Sequence, residues 1–208
     1  LGFRDREEFL CWSRDRPEEF WREMMREAGI QWFEPYRRVM DLSRGPQWAE
    51  WFIGGKLNIA WNCLDRHPDD AVACIWEGEN GAVRTVTFGA LRREAARVAG
   101  ALRARGLHRG DRVALVMPMV PEVAGILYGC LKLGLVVVPI FAGFGSEAIA
   151  ARLEDSGARA VFTADALERR GRMLPLKDKI PNAAPELVVV LRFKGTPVSW
   201  NEGRDVWW

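Results

Sequence analysis

The chain is 208 residues long, 49% hydrophobic and 28% charged, the balance of a soluble globular protein with room for one large domain, or a domain with an extension. A net charge of +2 is too small to argue for a nucleic-acid or membrane-surface partner. Cys11, Cys63, Cys74 and Cys130 lack C-x-x-C spacing and His67 and His108 lie far apart, so there is no zinc signature, and the cysteines read as reduced apolar residues of a cytoplasmic protein.

No basic-then-apolar leader follows Leu1, so no signal peptide is expected. The longest apolar stretch, around residues 133–144, falls well short of the roughly 20 residues of a membrane helix. The first sixty-odd residues are rich in aromatics and hold six of the ten tryptophans. "DRPEEFWREMMREAG" predicts a helix that starts at Asp15 and Pro17 and ends at Gly29, with Phe20, Trp21, Met24, Met25 and Ala28 as its apolar stripe. In "GGKLNIAWNCLDRHP", Leu57, Ala60, Trp61 and Leu64 share a helical face, and Pro68 stops it.

From residue 71 the pattern changes. "AVACIWEG" and "VRTVTF" read as two strands around a turn at Glu79–Gly81. "FGALRREAARVAGALRARGL" is an amphipathic helix, with Phe88, Leu91, Ala95, Val98 and Leu102 on its apolar face. Strands "RVALVMP", "VVVPIF", "RAVFTAD" and "ELVVVLRF" then alternate with helices "PEVAGILYGCLKLG" and "SEAIAARLEDSG". Strands apolar on both faces, alternating with helices, predict an α/β fold: a mostly parallel sheet with flanking helices, preceded by a Trp-rich helical extension. The boundary falls at 68/69, with residues 1–68 the extension and 69–208 the α/β part.

Gly143, Gly145 and Ala148 spell G-x-G-x-x-A, with Asp165 about twenty residues on, the spacing of a dinucleotide fingerprint. Three readings are open at this point. One is a strand-to-helix turn with Ser146 capping the helix. Another is a nicotinamide or flavin site, disfavoured by its late position in the sheet and by the bulk of Phe144. The third is a surface along which some other extended ligand passes. "ERRGRMLPLK" supports the third, because Arg169, Arg170 and Arg172 around Gly171 can converge on one phosphate. Both segments follow the C-terminal ends of strands, the edge where open α/β sheets bind ligands.

"WFIGGKLNIAWNCLDRH", the stretch from "VALVMP" to "FTAD", "RRGRMLPLK" and the closing "GRDVWW" together resemble the AMP-forming acetyl-CoA synthetases, within the acyl-CoA synthetase branch of the adenylate-forming superfamily. The resemblance runs from about residue 10 to the end. It implies a two-step reaction: a carboxylate attacks the α-phosphate of ATP, giving an acyl-adenylate and pyrophosphate, and the CoA thiol then displaces AMP. It implies that Phe141, Ala142 and Gly143 lie along the pantetheine arm of CoA. It implies also that the Arg169, Arg170, Gly171, Arg172 segment, chiefly Arg169 and Arg172, contacts the 3′-phosphate. The family usually has two glycines where this chain has Ala142 and Gly143.

The family's Ser/Thr/Gly-rich ATP-phosphate loop with its Lys has no counterpart here. The chain is therefore expected to be the front section of a longer ligase for acetate or another short acid. ATP and Mg²⁺ would be held elsewhere in that enzyme, and this section would be inactive alone and hold no catalytic or metal-binding residue. Expected partners are small molecules (a short carboxylic acid, ATP and CoA), with self-association through the open sheet edge. The alternative is a truncated, non-enzymatic CoA-binding or interaction module.

Overall fold

The computed structural model describes residues 2–182 and 185–208; Leu1, Ala183 and Ala184 fall outside it. The chain divides into two compact units, one ending at Asn58 and the other beginning at Ile59.

In the first unit, α1 (Arg6–Asp15) and α2 (Pro17–Glu27) meet at Arg16. Asp5 caps α1 by accepting from Glu8 N–H at 2.8 Å. Asp15, expected at a helix start, instead closes α1, and Arg16 is the N-cap of α2. Pro17 forces the break: it has no N–H to continue α1 but is well suited to the first position of a new helix. Neither helix contains a fully buried residue. The apolar stripe is met by ring contacts instead, with Phe20 against Trp12 at 5.8 Å and Phe9 at 6.0 Å, and Trp21 against Trp51 at 5.9 Å. Trp51 lies on β2 (Glu50–Ile53), which pairs antiparallel with β1 (Arg38–Asp41).

The second unit opens with one wide helical turn, Trp61–Asp65, in which Arg66 N–H reaches the Trp61 carbonyl at 3.3 Å. Of the face expected there, Ala60 and Leu64 are fully buried, whereas Leu57 and Trp61 stay 37% and 39% exposed. A single turn buries only the two positions that stack directly on one another. The hairpin of β3 (Val72–Glu77) and β4 (Val83–Thr87) follows, then α3 (Phe88–Ala104), whose N-cap Thr87 accepts from Ala90 N–H at 3.2 Å.

β5 (Arg112–Val116), β6 (Val136–Pro139), β7 (Ala160–Ala164), β10 (Leu187–Leu191) and β11 (Asp205–Trp207) form one parallel sheet in the order β11-β10-β7-β5-β6. α4 (Glu122–Lys132) and α5 (Ser146–Ser156) make the crossovers around β6. Alternate residues of each central strand face opposite cores. Ala114, Val116, Val161, Val188 and Val190 pack with Ile149 and Leu153 of α5. Val113, Leu115, Phe162 and Val189 pack with Val98 and Leu102 of α3 and Ile126 and Cys130 of α4. Both faces are covered, which is why these strands read as unbroken apolar runs. α3 and α4 approach closely at Gly129, where a Cβ would sit 2.6 Å from Val98 and 2.8 Å from the Ala95 carbonyl. The four cysteines are free, and burial pushes the Cys130 thiol up to about 12. Among the described residues no helix is long and apolar enough to cross a membrane.

The edge strand β11 is fastened by buried charge. Asp205 has a fully buried side chain and receives Lys177 Nζ at 2.9 Å and Arg204 Nε at 2.8 Å. Burial alone would raise its pKa, but the hydrogen bonds from Arg204, Lys177 and the Asn201 N–H hold it below the usual carboxylate range. Removing one member of such a group strands the others without compensation, at a cost of about 3–5 kcal/mol. Asp205→Ala should therefore lose roughly that amount in urea unfolding; a loss under about 1 kcal/mol, the scale of a surface ion pair, would contradict the assignment.

Candidate functional site

All five strands of the sheet run the same way, so the segments leaving β6 and β7 emerge at one edge. β6 and β7 are not neighbours; both flank β5. After β5 the chain turns to the α3/α4 face, whereas after β6 and β7 it turns to the α5 face. Open α/β sheets bind ligands at such a divergence.

The segment after β6 is a tight turn. Phe144 N–H donates to the Phe141 carbonyl at 3.1 Å. Ser146, expected to cap α5, does not: Gly145 is the N-cap in extended conformation (φ −71°, ψ 164°), and no side chain caps the helix. Ser146 is already the first helical residue, one position too late for its hydroxyl to serve. At Gly143 a Cβ would lie 2.4 Å from the Phe141 ring, so the ring rests against the bare Cα in this arrangement, while Gly145 has nothing within 4 Å. Ala142 is only 7% exposed and packs into the α5-side core, whereas Phe141 is 60% exposed. The Arg152 guanidinium lies 4.4 Å over the Phe144 ring.

The segment after β7 is a hairpin of β8 (Ala166–Arg169) and β9 (Arg172–Pro175). The turn residues Arg170 and Gly171 have φ of 52° and 70°, the positive pair of a two-residue hairpin turn whose twist matches the strands. Arg169 is cross-strand partner to Arg172, a like-charge pairing that costs stability when nothing neutralises it. Glu168 is taken up by Lys194 at 2.7 Å, and among the described residues none of the three guanidinium groups has an ion-pair partner. Glu79 accepts from the Arg170 N–H at 2.9 Å, a bond to main chain and not to a guanidinium group.

Asp165 sits at the root of the hairpin and is fully buried. Its Oδ1 accepts from the main-chain N–H of Ala166, Phe193 and Lys194 at 2.8, 2.9 and 3.0 Å, and Oδ2 from Lys194 and Thr196 at 3.1 and 2.8 Å. Both oxygens are spent on main chain, so the acid of the apparent dinucleotide fingerprint has nothing to offer a ribose. β6 also lies at the edge of the sheet and is not its opening strand. The nicotinamide or flavin reading therefore fails on geometry.

The two segments share one core: Ala142, Leu167, Leu176 and Ile180 all belong to the cluster under α5. Among the described residues no hydrogen bond or ion pair joins the arginines to the Phe141–Gly143 turn. The link is Lys179, which lies just past β9 and donates to the carbonyls of Ala142 and Phe144, both at 3.0 Å. It leaves no mark in the sequence. A lysine in "PLKDKI" carries no periodic signal, and its partners are main-chain atoms with no side-chain signature.

Residues 60–207 match the family described as AMP-binding enzyme, and residues 6–63 match the one described as acetyl-coenzyme A synthetase N-terminus. The chain belongs to the AMP-binding enzyme family. It is 41% identical over 199 residues to the acetyl-coenzyme A synthetase of Mycolicibacterium smegmatis, covering 91% of this chain and 21% of that protein. With the enzyme of the same name from Methanothrix soehngenii it shares 39% identity over 220 aligned positions, covering 100% and 32%. The solved acetoacetyl-CoA synthetase from Streptomyces lividans superposes with a TM-score of 0.80 at 27% identity, over 94% of this chain and 31% of that one. The chain thus spans between a fifth and a third of the length of these relatives. The turn after β6, the arginine hairpin, Asp165 and Lys179 all lie within the stretch that matches the AMP-binding family.

Asp165 sets a pH dependence. Burial alone would raise its pKa, but the N–H groups of Lys194, Ala166, Phe193 and Thr196 outweigh that and hold it below the usual range. Its contribution to stability is complete above the unfolded aspartate value of about 3.9 and disappears as pH falls through the lower folded value. Urea midpoints should fall steeply below about pH 4, whereas Asp165→Asn should be less stable at neutral pH with a flatter acid limb. Parallel acid limbs in the two proteins would contradict this.

Proposed function

We propose that this chain is the N-terminal section of an AMP-forming acyl-CoA ligase, acting on acetate or another short carboxylic acid, and that it supplies part of the CoA surface. In this reading Arg169 and Arg172 bind the 3′-phosphate, Arg170 and Gly171 form the turn that presents them, and Phe141, Ala142 and Gly143 border the pantetheine arm. Residues 1–68 are the extension and 69–208 the first α/β subdomain. ATP with Mg²⁺ and the acid are bound by parts of the ligase outside this chain. The acyl-adenylate forms there, and CoA lies against the sheet edge described above.

The observation that carries the proposal is the cross-strand pairing of Arg169 with Arg172, neither with an ion-pair partner among the described residues, at the edge of the sheet where β6 and β7 end. Two guanidinium groups held side by side form a fork suited to a phosphate dianion, and anion binding would relieve their repulsion. The inward packing of Ala142 also eases its departure from the family's glycine pair. The methyl group occupies core space, leaving the Phe141 ring and the bare Gly143 Cα on the outer side of the turn.

The test is calorimetric titration with CoA and with dephospho-CoA, which lacks only the 3′-phosphate. Arg169→Ala and Arg172→Ala should each weaken CoA by about tenfold, the scale of one charge-assisted hydrogen bond, and leave dephospho-CoA unchanged. Equal affinity of the unaltered chain for the two compounds would sink the phosphate assignment. A separate expectation concerns activity: the 208-residue chain incubated with acetate, ATP, Mg²⁺ and CoA should release no AMP, because it lacks a triphosphate-binding loop. Acetate-dependent AMP formation would refute that.

A further inference from the structure

Resting on the CoA reading above, we propose that Lys179 is a positioning residue, which holds the turn after β6 in the shape that accepts the pantetheine arm and ties that turn to the arginine hairpin. Hydrogen bonds place three of the turn's carbonyls. That of Phe141 is taken by the Phe144 N–H inside the turn, and those of Ala142 and Phe144 both converge on Lys179 Nζ at 3.0 Å. With those two oxygens drawn onto an ammonium and the Ala142 methyl group in the core, the outer side of the turn presents the exposed Phe141 ring and Gly143. An extended, largely apolar thioether-and-amide arm is the kind of ligand such a surface suits. If the ammonium were lost, both carbonyls would need other donors, and reorienting their peptide planes would displace Gly143 and the ring above it.

Lys179 is itself firmly based. It ends a short helical turn, Lys177–Lys179, flanked by Leu176 and Ile180, which are 0% and 4% exposed. Its own N–H donates to the Leu176 carbonyl at 3.1 Å, and the Leu176 N–H donates to the Asp165 carbonyl at 3.0 Å. Because β9 runs directly into this turn, the cation spans from the return strand of the arginine hairpin to the segment after β6. Two stretches that no hydrogen bond or ion pair joins through the arginines, among the described residues, thereby keep a fixed relation.

The experiment separates the two halves of CoA. Adenosine 3′,5′-bisphosphate carries the 3′-phosphate but no pantetheine arm, and CoA carries both. Lys179→Met keeps the length of the side chain and removes the donor. It should weaken CoA by about tenfold while leaving adenosine 3′,5′-bisphosphate unchanged, and Lys179→Arg, which can still donate to two carbonyls, should recover most of the loss. Arg172→Ala, run alongside, should weaken both ligands. Unchanged CoA affinity in a cooperatively melting Lys179→Met protein, or equal loss for both ligands, overturns the inference and leaves the phosphate assignment standing. If the unaltered chain binds neither ligand, the CoA reading fails and the inference falls with it. Should Lys179→Met not fold, Lys179→Gln, which keeps a shorter neutral donor, is expected to lose CoA affinity selectively, and no selectivity there overturns the proposal equally.

Discussion

Where β7 leaves the sheet, the Asp165 carboxylate gathers four main-chain N–H groups into the core, from Ala166 at the start of β8 and from Phe193, Lys194 and Thr196 after β10. Its own N–H donates to the Leu191 carbonyl, and its carbonyl accepts from Leu176 N–H, just past β9. Three chain segments are thus fastened at one residue. Buried main-chain donors left unpaired would each carry a desolvation penalty, so the path of the segment after β10 and the start of the arginine hairpin depend on this carboxylate, while the far end of the hairpin is held by the Asp165 carbonyl. This fixed root, with the Glu79 contact to the Arg170 N–H and the Lys194–Glu168 pair, gives an exposed, positively charged hairpin tip a defined position.

The hairpin combines features that are unfavourable in isolation. Arg170 holds a positive φ, and Arg169 faces Arg172 across the strands. The large exposed Phe141 ring lies at the same edge of the sheet. Local strain and like-charge contact persist where the surroundings impose them, and they gather at places that meet ligands. Positive φ alone is not enough, because Phe52 in the first unit has φ of 49° with no comparable grouping of charge. What distinguishes the hairpin is the coincidence of strain, cations with no ion-pair partner among the described residues, and a position at the divergence of the sheet.

The sheet was legible in the sequence because its strands are buried on both faces: Val113, Leu115, Val188 and Val190 leave unbroken apolar runs, and the helices between them show one-sided patterns. The first unit was less legible. Its helices bury no residue completely, so an apolar stripe made of rings that touch in pairs resembles a core-facing stripe, and α1 and the β1/β2 hairpin are not among the elements expected from the sequence. The candidate site divided in the same way. Arg169, Arg172 and Phe141 could be singled out because charge and resemblance mark side chains. Asp165 was noticed through its spacing to two glycines, yet its task is to satisfy main chain, and Ser146 looked like a cap because the cap position is occupied by a residue with no side chain. Interactions whose partners are peptide groups leave no imprint on residue spacing.

The segment from Leu176 to Ile180 shows how such interactions organise the edge. Leu176 and Ile180 face the core under α5, while the two lysines between them reach in different directions. Lys177 runs into the interior to Asp205 on β11, and Lys179 runs to the carbonyls that follow β6. β11 and β6 are the two opposite edges of the sheet. One short stretch therefore connects the first residue of β11 with the segment that leaves β6, and it is continuous with the strand that carries Arg172. A parallel sheet does not fix the loops beyond its own ends, since its hydrogen bonds stop with the strands. Here that task falls to the ammonium groups of Lys177 and Lys179 and the carboxylates of Asp165 and Asp205. The lysines carry long, flexible stems, and each gives up rotamer freedom to hold its place. The full burial of the Lys177 pair and the two hydrogen bonds that Lys179 donates offset that cost, because an ammonium with several short hydrogen bonds in a partly dry setting gains more from each than it would in water.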